Sequence, residues 1–99
     1  MKNIDVYEAS HSEFSVAIEY IDMGVCVLRG GRHFRFGSNF SISAIIIFRD
    51  SSTVEVFAYI GEYNRDIRRA IRKCLEMMGV DKVIYERVKS GKFIPHKKS

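Results

Sequence analysis

The residues from Asn64 to Gly79 form the pattern that most constrains the fold. Apolar side chains recur there at helical spacing, at Ile67, Ala70, Ile71, Cys74, Leu75 and Met78. All of them fall on one face of an α-helix. Asn64 suits the N-cap position, and Gly79 suits the position just past the last turn. The segment therefore predicts an amphipathic helix that packs its apolar face on a sheet.

Strand-like segments lie on both sides of this helix. "TVEVFAYIG" precedes it, and a strand is predicted after it from about Lys82 to Val88. A strand, a helix and a strand in this order predict a crossover between parallel strands. Upstream, "FSISAIIIFRD" is joined to "TVEVFAYIG" by the turn residues Asp50–Ser52 and is expected to pair with it. Because Ile45 and Ile47 are apolar on its second face, we expect helices on both faces of the sheet.

Three further elements are predicted in the N-terminal half. Asn3–Ser10 alternates apolar and polar residues, which is typical of a strand. Ser12–Asp22 is predicted to be a helix, because its apolar residues include a set at helical spacing, namely Phe14, Ala17, Ile18 and Ile21. Gly30–Gly31 predicts the turn of a β-hairpin, whose second strand places Phe34 and Phe36 on one face. The whole order indicates an α+β fold, mostly an antiparallel meander with one strand–helix–strand crossover.

Length and composition limit the chain to one domain. Its 99 residues can bury a single core, which we assign to residues 1–90, with a short basic tail at 91–99. No apolar run approaches the ~18 residues of a membrane-spanning helix. The N-terminal "MKNIDVYEAS" lacks the apolar core of a signal peptide, so we expect a cytoplasmic protein without membrane contact.

Positive charge is concentrated in the last part of the chain. Residues 1–60 carry five Lys/Arg and seven Asp/Glu, whereas residues 61–99 carry eleven and five. An anionic partner is therefore expected to meet the second part.

The cysteines and histidines do not suggest metal chemistry. Cys26 and Cys74 are far apart and both lie in apolar patterns, which indicates two reduced thiols in the core. His11, His33 and His96 lack the short paired spacing of a zinc site. We expect no metal.

The segment "VEVFAYIGEYNRDIRRAIRKCLEMMGVDKVIYERV" resembles the core unit of the GNAT (acyl-CoA N-acyltransferase) superfamily. In that family a strand that ends in a bulge leads through a turn of pattern Q/R-x-x-G-x-G/A into a helix that holds the pyrophosphate of acyl-CoA. Read as "RDIRRA", this chain matches the pattern with Arg65 and Ala70, but Arg68 replaces the first glycine. In an alternative register, Ile67 aligns with the residue between the two glycines of the pattern. Asp66 and Arg68 then stand in place of those two glycines. The resemblance extends to short members of the kind that phages encode.

This resemblance implies a GNAT-like mixed sheet and acetyl-CoA or CoA as a ligand. The residues that it places at the cofactor are Ile60, Asn64, Arg65, Arg68, Arg69 and Ala70. Glu55 resembles the strand carboxylate that acts as general base, and Tyr85 is the nearest match to the tyrosine acid. Arginine forks can bind phosphate where a glycine turn is missing.

Three interpretations of the basic helix face remain open from the sequence. It is a solvated face with pairs such as Asp66–Arg69 and Arg72–Glu76, a phosphate or CoA site, or a surface for an acidic protein or a nucleic acid. Under the last interpretation the protein is a non-enzymatic, phage-type binding or inhibitory protein that engages a host partner. "LRGGRHFRFG" also interleaves basic and aromatic residues, as RNA-binding surfaces do, although a hairpin with one core face explains it too.

Overall fold

Residues 6–85 are described by the structure, a computed structural model. The elements follow one another as strands β1 (Val6–His11), β2 (Phe14–Asp22), β3 (Val25–Arg32), β4 (Ile42–Asp50) and β5 (Thr53–Ile60), helix α1 (Arg65–Met77) and strand β6 (Lys82–Tyr85). The strand predicted at Asn3–Ser10 is observed as β1 from Val6 onward. Its first three residues, the continuation of β6 to Val88 and the tail at 91–99 lie outside the described residues.

The strands form one mixed, curled sheet in the order β1-β2-β3-β4-β5-β6. Strands β1 to β5 are joined as an antiparallel meander, and β6 returns parallel to β5. The predicted crossover from β5 through α1 to β6 is therefore confirmed, and the fold is α+β. The predicted turn between β4 and β5 is also confirmed, with the Ser52 amide donating to Asp50 Oδ1 at 2.9 Å.

Helix α1 covers one face of this sheet, which we call the inner face. Asn64 is the N-cap, Met78 ends the helix, and Gly79 adopts the left-handed φ of +86° that the sequence predicts there. The buried stripe of α1 packs mainly on β1 and β2. The core consists of this stripe and of inward residues from the strands, among them Val16, Ile18, Cys26, Leu28, Ile42, Ile46, Val54 and Val56.

The helix predicted at Ser12–Asp22 is wrong, because the segment forms strand β2. It pairs with β1 across a two-residue turn in which Ser12 has φ +59°. Phe14, Val16 and Ile18 alternate along the strand onto the inner face and are buried there. The same segment therefore satisfies both helical and strand spacing, and burial of the alternating set against α1 decides for the strand.

The hairpin turn predicted at Gly30–Gly31 is also wrong. Strand β3 runs through both glycines to Arg32, and residues 33–41 connect it to β4. Phe34 in this connection is buried whereas Phe36 is exposed, so the two do not share a core face. A Cβ atom at Gly30 would lie 2.7 Å from the Ser15 carbonyl oxygen. The glycine thus permits close packing of backbones rather than a turn.

Helices on both faces of the sheet are not supported. Among residues 6–85, α1 is the one helix, and it lies on the inner face. Ile45 and Ile47 point to the opposite face, which we call the outer face, and are only half-buried there. The expectation failed because apolar residues on a second face indicate burial without showing what covers them.

Candidate functional site: the arginine face of helix α1

The burial of one stripe of α1 determines which side chains face solvent. Ile67, Ala70, Ile71 and Cys74 are fully buried, so the intervening positions point outward. Four of these positions carry exposed arginines, Arg65, Arg68, Arg69 and Arg72, which we call the arginine face. They follow the helix axis over roughly 10 Å, since each residue rises about 1.5 Å.

No salt bridge to the arginine face is formed within residues 6–85. Among the described residues, salt bridges involve His11, Arg29, Arg32 and Arg49, and none involves the arginine face. The pairs Asp66–Arg69 and Arg72–Glu76 that the sequence suggests are not formed there. Asp66 instead lies 3.7 Å from His11 Nε2. Four guanidinium groups are therefore presented to solvent without an ion-pair partner in this part of the chain.

Side chains of the residues just before α1 form hydrogen bonds at its start. Asn64 Oδ1 accepts a hydrogen bond from the Ile67 amide at 2.9 Å, which satisfies one of the first-turn donors. Asn64 Nδ2 donates to Glu62 Oε2 at 3.2 Å. The Glu62 carboxylate thus lies beside the N-cap side chain, and it is also 3.5 Å from Arg32 Nη2. Glu62 is not among the site residues that the sequence predicts. The one indication in the sequence is that an acidic residue stands two positions before the N-cap.

An open cavity of about 230 Å³ adjoins this helix start and is lined by Tyr63, Asn64, Arg65 and Arg68. Tyr63 packs edge to face against Tyr59 at 5.4 Å and against Tyr85 at 6.1 Å between ring centroids. Burial raises the pKa of Tyr59 and of Tyr63 well above the ordinary value. Both phenols therefore stay neutral at physiological pH, and the positive charge beside the cavity comes from the arginines.

The two residues that resemble a catalytic pair are not brought together. Glu55 points to the outer face, where it forms an ion pair with Arg49. Tyr85 points to the inner face, packs against the core and contacts Tyr63. Neighbouring positions along a strand point to opposite faces, and the two side chains are therefore separated by the sheet.

The six residues that the resemblance places at a cofactor are not brought together either. Asn64, Arg65 and Arg68 meet at the cavity, and Arg69 lies beside them on the helix surface. Ala70 is fully buried in the core, and Ile60 lies exposed on the outer face. The structure therefore groups three of the six.

Strand β5 contains an irregularity near its end, the place at which the GNAT resemblance implies a bulge. Ala58 adopts φ +51°, and the register between β4 and β5 shifts between Ser43 and Ile45. An alanine at positive φ is unusual because its Cβ crowds the backbone. The shift lets Tyr59 point inward, where its hydroxyl donates to the Glu62 carbonyl at 2.6 Å and holds the connection to α1.

No group of three or more His, Cys, Asp or Glu side chains is placed to hold a metal within residues 6–85. Cys26 and Cys74 are free and buried, as predicted. Burial raises the pKa of Cys26 to about 11 and that of Cys74 to about 12. The Cys74 thiol donates to the Tyr7 carbonyl at 3.1 Å. Both are therefore protonated packing residues rather than nucleophiles.

No helix in the described part of the chain has the length and apolar character needed to cross a bilayer. Comparison of the chain with protein-family models, with curated proteins and with solved structures found no match. The arginine face and its neighbouring cavity therefore have to be interpreted from their own chemistry.

Proposed function

We propose that this chain is a non-enzymatic binding domain that holds an acidic protein surface on its arginine face. The observation that carries the proposal is the set of four exposed guanidinium groups without an ion-pair partner among the described residues. Guanidinium groups bind carboxylates through two parallel hydrogen bonds, and arginine is enriched at protein interfaces. Their exposure is what such a role requires.

The extent of the arginine face supports a partner with several acidic groups. Arg65 and Arg72 are separated by about two helical turns, or roughly 10 Å. A single phosphate or carboxylate contacts only one or two neighbouring arginines over that distance. An array of carboxylates on a protein surface can engage all four.

The neighbours of the arginine face favour a protein over a nucleic acid. Asp66 and Glu76 interrupt the basic surface, and a continuous phosphate backbone would be repelled by both carboxylates. A protein surface can match this mixture of arginines and acids.

The placement of the sequence-predicted catalytic residues supports a non-enzymatic role. A general acid and a general base must both reach the reacting group. Glu55 and Tyr85 lie on opposite faces of the sheet, and Glu55 is already paired with Arg49. Neither residue lines the cavity beside Arg65 and Arg68.

A second candidate function is binding of a CoA-type ligand, as the GNAT resemblance implies. The observation that favours it is the cavity at the helix start, where Arg65 and Arg68 adjoin Asn64. The Glu62 carboxylate near Asn64 weakens this candidate, because that group, although paired with Arg32, adds negative charge beside the site.

Calorimetric titration with three anionic probes tests these alternatives. We expect poly-L-glutamate to bind and its affinity to fall as salt rises, since the contacts are exposed charge pairs. The variant Arg65→Ala with Arg68→Ala should weaken binding at least about tenfold, which corresponds to roughly 1.4 kcal/mol.

The other two probes are CoA and duplex DNA. Binding of CoA alone, abolished by the same variant, would replace the proposal with the second candidate. Tighter binding of DNA than of poly-L-glutamate, with a steep salt dependence, would assign the arginine face to nucleic acid. Absence of heat with all three probes would contradict both functions.

A further inference from the structure

The outer face of the sheet carries an apolar patch on four neighbouring strands, in which Glu55 stands between Ile47 and Ile84. It consists of Val25, Val27, Ile45, Ile47, Phe57 and Ile84, which we call the outer patch. The strand register places Val27, Ile45 and Phe57 side by side in one row. The adjacent row contains Val25 and Ile47 and continues past Glu55 to Ile84.

No described helix or strand packs over the outer patch. Helix α1 lies on the inner face, and the patch residues stay half-buried or exposed, with Ile84 at 38%. Strands that are apolar on both faces belong inside a structure with layers on each side. An apolar surface that is only half-buried and that no described helix or strand covers is typical of an interaction site.

Two ion pairs border the outer patch at opposite corners. Glu19 and Arg29 form one across β2 and β3, with 3.2 Å between Oε1 and Nη1. Arg49 and Glu55 form the other across β4 and β5. An apolar centre with a polar rim is the ordinary anatomy of a protein interface. The rim has no net charge, so it selects neither an acidic nor a basic partner.

The geometry points to a second copy of this chain as the occupant of the outer patch, with the two sheets packed face to face. In a two-fold arrangement each surface must complement itself. Each corner offers one acid and one base. When the Glu19–Arg29 corner of one copy lies over the Arg49–Glu55 corner of the other, each arginine faces a glutamate of the other copy.

The position of α1 is consistent with this pairing. The arginine face lies on the far side of the sheet from the outer patch, so the two basic surfaces of a dimer point away from each other. Their mutual repulsion is weak across two sheets that pack about 10 Å apart with a helix on each side. The pairing is independent of what the arginine face binds.

Sedimentation equilibrium of the full chain tests the pairing directly. We expect twice the chain mass of 11.4 kDa at high micromolar concentration. Ile45→Lys, in the centre of the outer patch, should weaken the dimer at least tenfold. Met23→Lys adds the same charge at a residue that is 90% exposed outside the patch and should leave the dimer unchanged. A chain of single mass at every concentration would overturn the inference.

Thiol labelling provides a second readout should Ile45→Lys fail to fold. Native Cys26 and Cys74 are buried, so the thiol introduced by Ile45→Cys reacts selectively with a maleimide. We expect its labelling rate to fall at least tenfold from low to high protein concentration, whereas Met23→Cys labels at one rate throughout. A labelling rate that does not depend on protein concentration would overturn the inference. A slow constant rate would mean that other residues of the chain cover the outer patch, and a fast constant rate would mean that the outer patch is open to another protein.

Discussion

The presentation of the arginine face depends on a few contacts at the start of α1. The Tyr59 hydroxyl donates to the Glu62 carbonyl at 2.6 Å, and the Tyr63 ring packs against Tyr59 and Tyr85. Asn64 then caps the helix through the Ile67 amide. These contacts determine the direction in which the first turn, and the arginines on it, leave the sheet.

Removing the cap should destabilise the protein by a measurable amount. In Asn64→Ala the Ile67 amide loses its acceptor, and we expect the free energy of unfolding to fall by about 1 kcal/mol. Urea denaturation of the purified chain measures the change. Asn64→Ser is the matched control, because a serine hydroxyl is also a good cap. Equal losses in the two variants would show that the cap is not the cause.

The buried thiols predict a loss of stability at alkaline pH. Burial raises the pKa of Cys26 and Cys74 from the ordinary value of 9.0 to about 11 and about 12. Above about pH 9 the unfolded thiols lose protons that the folded ones keep, so the free energy of unfolding falls as pH rises through this window.

The variant Cys26→Ala with Cys74→Ala isolates this effect in urea denaturation at about pH 8 and about pH 10. It retains Tyr59 and Tyr63, whose pKa values are also raised by burial. We expect the variant to lose less stability between the two pH values than the native chain. An unchanged or larger loss would contradict the account of the thiols.

The elements differ in how far the sequence predicts them. Helix α1 follows from a long pattern that fits helical spacing only, and the β4–β5 pair follows from two strand-like segments joined by the turn residues Asp50–Ser52. In contrast, the apolar residues of β2 fit both helical and strand spacing, and Gly30 fits both a turn and close backbone packing. Contacts with the neighbouring strands and with α1 resolve these ambiguities. A local sequence pattern contains no information about those contacts.

The glycines of β3 provide a test of that explanation. A Cβ at Gly30 would meet the Ser15 carbonyl oxygen and Val16 Cγ1 at 2.7 Å, whereas one at Gly31 would meet the movable Ser41 hydroxyl at 2.8 Å. We expect Gly30→Ala to lower the free energy of unfolding by about 1–3 kcal/mol and Gly31→Ala by less. A larger loss for Gly31→Ala in urea denaturation would contradict the close-packing explanation.

The whole molecule separates two kinds of surface on opposite sides of one sheet. One side presents the arginine face of α1, and the other presents the outer patch with its paired charges. The exposed arginines could be predicted from helical spacing alone. The separation of Glu55 from Tyr85 could not, because it depends on the parallel register of β6 with β5, in which Glu55 lies beside Ile84.

The most direct test of the central claim compares two charge reversals in a titration with poly-L-glutamate. Arg68→Glu lies on the arginine face, and Lys82→Glu is the matched control at an exposed residue of β6, outside the arginine face. Both change the net charge equally, so a general attraction of the basic chain would be weakened equally. We expect Arg68→Glu to weaken binding at least about tenfold and Lys82→Glu to have little effect. Equal weakening by the two variants would contradict a binding role for the arginine face.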